Sequence, residues 1–349
     1  MDSVNKLNVT IVIPTIRETS IHRWFEEWRT ELRSTPTYNL SILLVEDNPN
    51  KTFELKNKFS IPLEHLSWED IENDLGEHSW IIPRRTDCVR SYGYWRAWKQ
   101  GADIILTIDD DCYPLRDAAG VIVPNQDYVG THVKKLSQPV TIREDAWIST
   151  IQNIKPRGIP FYTRSLDRTY SNVKINHGLW YNVPDFDAPT SLAQTQIEHL
   201  FDYGISMVIP REKYFPMCGM NLAWRADLTP MMYFLLMGQN AQGEHWGFDR
   251  FGDIWCGIFA KKILNHLGGA IASGDPIIYH DRASNVFTNL KKEAPGIEVN
   301  ETLWQKTEAV ELHGKTPKDC YKELAQGIQM EGPYWKKLKT AMTAWADLF

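Results

Sequence analysis

No uninterrupted apolar run in the sequence reaches the roughly 18 residues a helix needs to cross a bilayer. The opening stretch, MDSVNKLN, has no basic segment leading into an apolar one, so no secretory signal is expected. Cysteine is sparse. The five residues Cys88, Cys112, Cys218, Cys256 and Cys320 are scattered, odd in number and never spaced as C-x-x-C. That pattern argues against a zinc ribbon and a disulfide framework, and for a reducing, cytoplasmic setting. An excess of positive charge is missing too: 38 Lys and Arg stand against 44 Asp and Glu, for a net charge of −6. A nucleic-acid partner would want a basic surface and is not expected. Repeats and low-complexity linkers are absent as well. What is present is a 349-residue chain with 43% hydrophobic residues, long enough to bury a sizeable core.

Tryptophan is plentiful, with 14 copies. Most are accounted for as core payload, although a flat indole also suits the apolar face of a sugar. The segment "NVTIVIP" (8–14) reads as a buried strand, followed by an amphipathic helix carrying Ile21, Trp24, Phe25, Trp28 and Leu32. "LSILLVEDNPN" (40–50) is a second strand ending in an acidic turn, and "SWIIP" (79–83) a plausible third. Thr86 or Asp87 then caps a helix through Lys99, stopped by Gly101, and "DIILTI" (103–108) is the fourth strand. Apolar strands alternating with helices predict a mostly parallel sheet covered on both faces, with ligands beyond the strands' carboxyl ends. Further on, Thr229–Pro230 reads as a helix start and Gly238 as its stop. Asp253 precedes another helix, and "PIIYHD" (276–281) is a strand delivering His280. Thr316–Pro317 starts a further helix, and Trp335, Leu338, Met342 and Trp345 form the apolar stripe of a last one. One domain over 1–300 with a helical C-terminal extension over 301–349 is the expected organisation.

Three adjacent aspartates, Asp109, Asp110 and Asp111, directly follow the fourth strand. Carboxylates repel one another, so collecting them at a sheet edge suggests a divalent cation, Mn²⁺ or Mg²⁺, bridging the diphosphate of a nucleotide-sugar. Asp109 and Asp111 are the candidate ligands. His280, at the end of its strand, is a candidate partner to them.

The motifs "IVIPTIR", "TIDDDC", "HGLWYNVPDFDAPT", "FPMCGMNLAW", "MMYFLLMG" and "IYHDRASNVFTNLKKE", in this order, resemble the reversibly glycosylated polypeptides, the UDP-arabinopyranose mutase family of plants. The resemblance runs from about residue 8 to 297. It implies a glycosyltransferase-A-type, Rossmann-like nucleotide-sugar fold of α/β class. It also implies interconversion of UDP-arabinopyranose and UDP-arabinofuranose with Mn²⁺, and reversible glycosylation of an arginine. The family's arginine lies in an Arg-Gly-x-Pro-Phe context, which here is "RGIPF" and places it at Arg157, with Arg164 matching a later arginine. Asp253 keeps one of two family acids, Gly252 replacing the other. The uridine side is expected from Thr15, Arg17 and Asp47, then Asp70 and Arg90, with Asp110 beside them. Trp180, Asp185 and Asp187 are expected to line the sugar pocket. The stretches 115–155 and beyond 300 depart from the family pattern. Assembly as a homo-oligomer is expected. The alternatives are a metal-dependent transferase with a separate acceptor and a non-enzymatic nucleotide-sugar-binding subunit.

Overall fold

Alternation at the strand level sets the architecture. In β1 (Leu7–Thr15), Val9, Ile11 and Ile13 point into one hydrophobic cluster while Val12 points into another. A strand buried on both faces must be apolar throughout, which is why it reads as a continuous run. The computed structural model describes residues 6–55, 60–117, 121, 123, 127–147, 157–162, 165–193 and 206–349.

After β1 come α1 (Glu18–Trp28), β2 (Tyr38–Glu46), β3 (Leu63–Leu66), α2 (Trp68–Leu75), α3 (Arg90–Lys99), β4 (Ile104–Ile108) and β5 (Cys112–Pro114). These are followed by α4 (Tyr128–Ser137), β6 (Val140–Asp145), β7 (Ser165–Tyr170), β8 (Val173–Asn182), α5 (Ala188–Ala193), β9 (Ser206–Val208) and β10 (Asn221–Arg225). The chain closes with α6 (Gly252–His266), β11 (Ala270–His280), α7 (Val286–Glu308), α8 (Pro317–Gly327) and α9 (Pro333–Asp347). The main sheet has the order β3-β2-β1-β4-β10-β8-β11-β5, with β9 pairing β11; β6 and β7 form a separate two-stranded sheet. Strands β3, β2, β1 and β4 are mutually parallel, and β10 runs antiparallel between β4 and β8. The fold is thus a glycosyltransferase-A-type α/β sheet, mixed where the second half joins.

Several expected elements take another form. "SWIIP" is not a strand: residues Gly76–Ile81 wind into a 3-10 turn, and the third strand is Leu63–Leu66. Pro83 cannot donate to a ladder, and the 3-10 turn buries Ile81 without needing a strand partner. Thr229–Pro230 lies within a 3-10 turn, Ala226–Met231, and no helix reaches Gly238. The 300/301 boundary falls inside α7, which is continuous from Val286 to Glu308. Trp335, Leu338, Met342 and Trp345 on α9 are buried in the same cluster as α3 and α6, with Trp345 stacked on Tyr233. Each such side chain contributes about 1.5–3 kcal/mol by leaving water, so α9 is part of the core. All five cysteines are free and buried.

Helix α3 lies close against the sheet because Gly93 faces it. A Cβ there would stand 2.4 Å from Val12 Cγ1 and 3.0 Å from Val45 Cγ2, both on strands. Gly93→Ala is expected to lower stability by about 1–3 kcal/mol through overpacking. Urea unfolding checks this, and an unchanged midpoint would contradict the close approach.

Candidate active site

The carboxyl ends of β1, β2 and β4 open on one cavity of about 460 Å³. Thr15 and Arg17 line it from the end of β1, Asp47 from β2, and Asp109 and Asp110 from β4. The register explains this convergence: Thr15 pairs with Glu46 and Val12 with Thr107, so the parallel strands end together.

The three aspartates have three different partners. Asp110 is buried, accepting from Thr15 Oγ1 at 2.6 Å and forming a close ion pair with Arg17. Burial raises its pKa, against the Arg17 charge and the Thr15 hydroxyl. Asp109 accepts from Arg90 Nη2 at 2.5 Å. Burial pushes Asp109 up, but the Arg90 guanidinium, by charge and hydrogen bond, more than offsets this and holds it below the ordinary carboxylate range. Arg90 is itself buried, donating also to Thr107 Oγ1 and to the Gly219 carbonyl. Asp111 Oδ2 accepts from the Ala283 N–H at 3.0 Å and from Arg17 at 3.3 Å. Its Oδ1 lies 3.9 Å from His280 Nε2.

His280 Nδ1 lies 2.7 Å from the Val183 carbonyl, an acceptor, so Nδ1 carries the proton and Nε2 presents a lone pair towards Asp111. The separation is too long for a hydrogen bond. It is short enough for both atoms to reach one cation through bonds of about 2.0–2.1 Å. Among the described residues, no group of three or more His, Cys, Asp or Glu could hold a metal alone. Asp111 Oδ1 and His280 Nε2 are thus two donors, too few to hold a divalent ion without further ligands.

On the other flank, Asp47 is buried and accepts from Trp68 Nε1 at 2.7 Å and from the Thr86 N–H at 2.9 Å. Burial raises its pKa despite these donors. Asp70 does not line the cavity: it is the N3 member of the capping box of α2, accepts from the Ser67 N–H and pairs with Lys51. Trp180 packs edge-on against His177, and Asp187 accepts from the Thr190 N–H at the start of α5. Neither these two nor Asp185 line the cavity. Arg157 is exposed on the connection between β6 and β7, also outside the lining, and Arg164 lies outside the described residues.

Asp253, near the start of α6, accepts from the Gly219 N–H at 3.0 Å. Burial, then the neighbouring Asp87 and Asp185, push its pKa up to about 7, with Gly219 and Arg90 opposing. The folded protein thus keeps a proton on Asp253 that the unfolded chain loses near its ordinary pKa of about 3.9. This contribution to stability declines as pH rises through that window and levels off above about 7. Asp253→Asn keeps an acceptor for Gly219 and is expected to flatten that decline. Unfolding of both proteins from pH 4.5 to 8 tests it, parallel curves being the contrary result.

Sequence reasoning missed the far wall. Arg85, Thr86, Arg250, Thr288, Asn289 and Lys292 all line the cavity. Asn285, Thr288, Asn289 and Lys292 recur at helical spacing on one face of α7, a polar periodicity lying within the "SNVFTNLKKE" motif itself.

A parallel half, a mixed continuation and an Asp-x-Asp turn at the end of β4 are the features of a glycosyltransferase-A-type fold. The profile of the family "Reversibly glycosylated polypeptide" matches residues 4–349, and the chain belongs to that family. The match continues to residue 349, so the segment beyond 300 follows the family pattern after all. The chain is 35% identical over 352 residues to UDP-arabinopyranose mutase 1 of Arabidopsis thaliana, covering 98% of this chain and 92% of that protein. It is 33% identical to UDP-arabinopyranose mutase 1 of Oryza sativa subsp. japonica, covering 98% and 90%. Among solved structures, a glucosyl-3-phosphoglycerate synthase from Mycobacterium tuberculosis is 12% identical, with a TM-score of 0.43 over 86% of this chain and 78% of that one.

Proposed function

We propose that the protein is a UDP-arabinopyranose mutase. The observation that carries this reading is the match over 98% of the chain to proteins of that name. The cavity is chemically suited to it. In the forward direction the bond from C1 to the β-phosphate oxygen breaks, and its electron pair leaves with UDP. Arg157, outside the cavity lining in this structure, would be brought to C1, bond it through a guanidinium nitrogen and give up a proton. The ring C1–O5 bond opens with O5 protonated, O4 loses its proton and closes on C1, and a β-phosphate oxygen returns to C1 as Arg157 is displaced and takes its proton back. The proton moves, on balance, from O4 to O5.

Asp111 and His280, with Asp109 beside them on Arg90, would contribute ligands to Mn²⁺ or Mg²⁺, which would supply positive charge to the diphosphate. Arg17 is placed to add to it: Asp110, Asp111 and Asp109 push its pKa up against the effect of burial. Five buried, unpaired thiols support a reducing, cytoplasmic setting. Among the described residues no helix is long and apolar enough to cross a membrane.

Incubation with UDP-arabinopyranose and no acceptor, followed by chromatographic separation of the ring forms, tests the proposal. UDP-arabinofuranose is the expected product. Release of free arabinose alone, or turnover only with an added acceptor, would overturn it in favour of a transferase.

A further inference from the structure

Four non-glycine residues among those described have a clearly positive φ, and two of them, Arg85 at 56° and Arg250 at 65°, line the cavity. That region disfavours L side chains, and strain of this kind concentrates at functional sites. Here it presents two guanidinium groups to one space. With Arg17, Arg90 and Lys292 they make five cationic side chains against four acidic ones, Asp47, Asp87, Asp109 and Asp110, in a chain of net charge −6.

The five cations are not equally committed. Arg17 is taken up by Asp110 and Asp111, and Arg90 by Asp109. Arg85 donates to the Asp47 carbonyl and to Asn48, and sits over the Trp68 ring. Arg250 is anchored only at Nε, which donates to the buried Glu293 at 2.9 Å. Its two Nη groups have no hydrogen-bond partner among the described residues. Glu293 is fixed in turn by the Ala188 N–H. Lys292, one residue earlier on α7, pairs with Asp249 at 2.8 Å, with its side chain 44% exposed. Asp249 also accepts from Thr86 Oγ1 and from the Arg250 N–H. One network therefore runs from Thr86, on the Asp47 side, through Asp249 to Lys292 and Arg250. The donors it leaves over, among the described residues, are the Nη groups of Arg250 and those N–H bonds of the half-exposed Lys292 ammonium not taken by Asp249.

We propose that Arg250 and Lys292 grip the diphosphate of the nucleotide from the α7 side of the cavity that Asp109 and Asp110 also line. They thereby retain UDP while the sugar is detached from it. The inference rests on the mutase reading and adds a requirement that a transferase lacks. A transferase benefits from releasing its nucleoside diphosphate, whereas a mutase must keep the same molecule for the return step. The β-phosphate gains negative charge when its bond to C1 breaks, so cations on its open side hold the product more tightly than the substrate. The N-terminal turns of α7, capped by the Asn285 side chain on the N–H groups of Phe287 and Thr288, face the same space and favour an anion.

Calorimetric titration of UDP and of uridine into the wild type, Lys292→Met and Lys292→Arg, with Mn²⁺ present, tests the inference. Lys292 is half-exposed, and Asp249 keeps its bonds from Thr86 Oγ1 and the Arg250 N–H, so the replacement should shift the thermal midpoint little. Lys292→Met is expected to weaken UDP about 10- to 100-fold, leave uridine unchanged, and reduce the salt dependence of UDP binding. Lys292→Arg should restore most of the loss. In turnover, Lys292→Met should also raise the share of free arabinose and UDP relative to UDP-arabinofuranose. Equal weakening of UDP and uridine, or no weakening of UDP, would overturn the inference and leave the mutase reading standing. A wild type that binds UDP no better than uridine would overturn both.

Discussion

Asp111→Asn is expected to lower turnover by about three orders of magnitude or more, because it removes charge where electrostatic stabilisation of the leaving group is concentrated. The geometry singles out Asp111 within the triplet. Its Oδ1 faces the lone pair of His280, while its Oδ2 is held by a backbone N–H that an asparagine oxygen also accepts from. The fold should therefore persist. Asp109→Asn is a different experiment. It leaves the guanidinium of Arg90, 1% exposed, without its principal counter-charge. Removing one member of a fully buried pair costs roughly 3–5 kcal/mol, and less here because the Asp109 side chain is 31% exposed and Asp87 stays 3.6 Å from Arg90. Loss of activity in that variant would mix a missing ligand with a weakened fold. Turnover, Mn²⁺ binding by titration and thermal midpoint, measured together on Asp111→Asn and Asp109→Asn, separate the two effects. For Asp111→Asn the expected pattern is lost turnover, weakened Mn²⁺ binding and a retained midpoint. For Asp109→Asn it is loss of all three. Wild-type turnover that survived exhaustive chelation would remove the metal from the account altogether.

The contrast within the triplet also marks where the sequence stops being informative. Strands β1, β2 and β4 are legible because burial on both faces demands an unbroken apolar run, and their common direction places residues 15, 47 and 109 at one edge. The separate roles of Asp109, Asp110 and Asp111 are not legible. They depend on Arg90, Arg17 and His280, which are respectively 19, 93 and 169 residues away in the chain. Strand β10 was hidden for a similar reason. "NLAWR" has five residues, too few for its period to stand out, and it is a strand only because β4 and β8 flank it. "SWIIP" is the reverse case. It is apolar enough to suggest a strand, yet it is buried by packing as a turn. The far wall of the cavity carries polar residues on a helical face, and a search for apolar periodicity passes over it. Resemblance to a family located that stretch without indicating what its side chains touch.

Arg157→Lys is expected to abolish both covalent labelling by UDP-sugar and mutase turnover. A guanidinium is a poor nucleophile: it holds its proton tightly and its lone pairs are delocalised, so attack on C1 requires a base to take that proton as the bond forms. In return, the planar fork offers two equivalent nitrogens and a bidentate hold on a phosphate, neither of which an ammonium reproduces. Lysine keeps the charge and loses the fork. Arg157 is exposed, and among the described residues no hydrogen bond or ion pair engages it. The substitution therefore leaves no described acid unpaired, and the thermal midpoint is expected to stay in place, which confines any loss to the chemistry. The measurement is intact-mass analysis after incubation with UDP-arabinopyranose, followed by peptide mapping and assay of both ring forms. In the wild type a pentose adduct should map to the "RGIPF" segment and disappear when excess UDP is added, because UDP recaptures the sugar. The lysine variant should carry no adduct and make no furanose. Full turnover without an adduct would make the glycosylation of Arg157 a side reaction, and an adduct at another residue would move the nucleophile elsewhere.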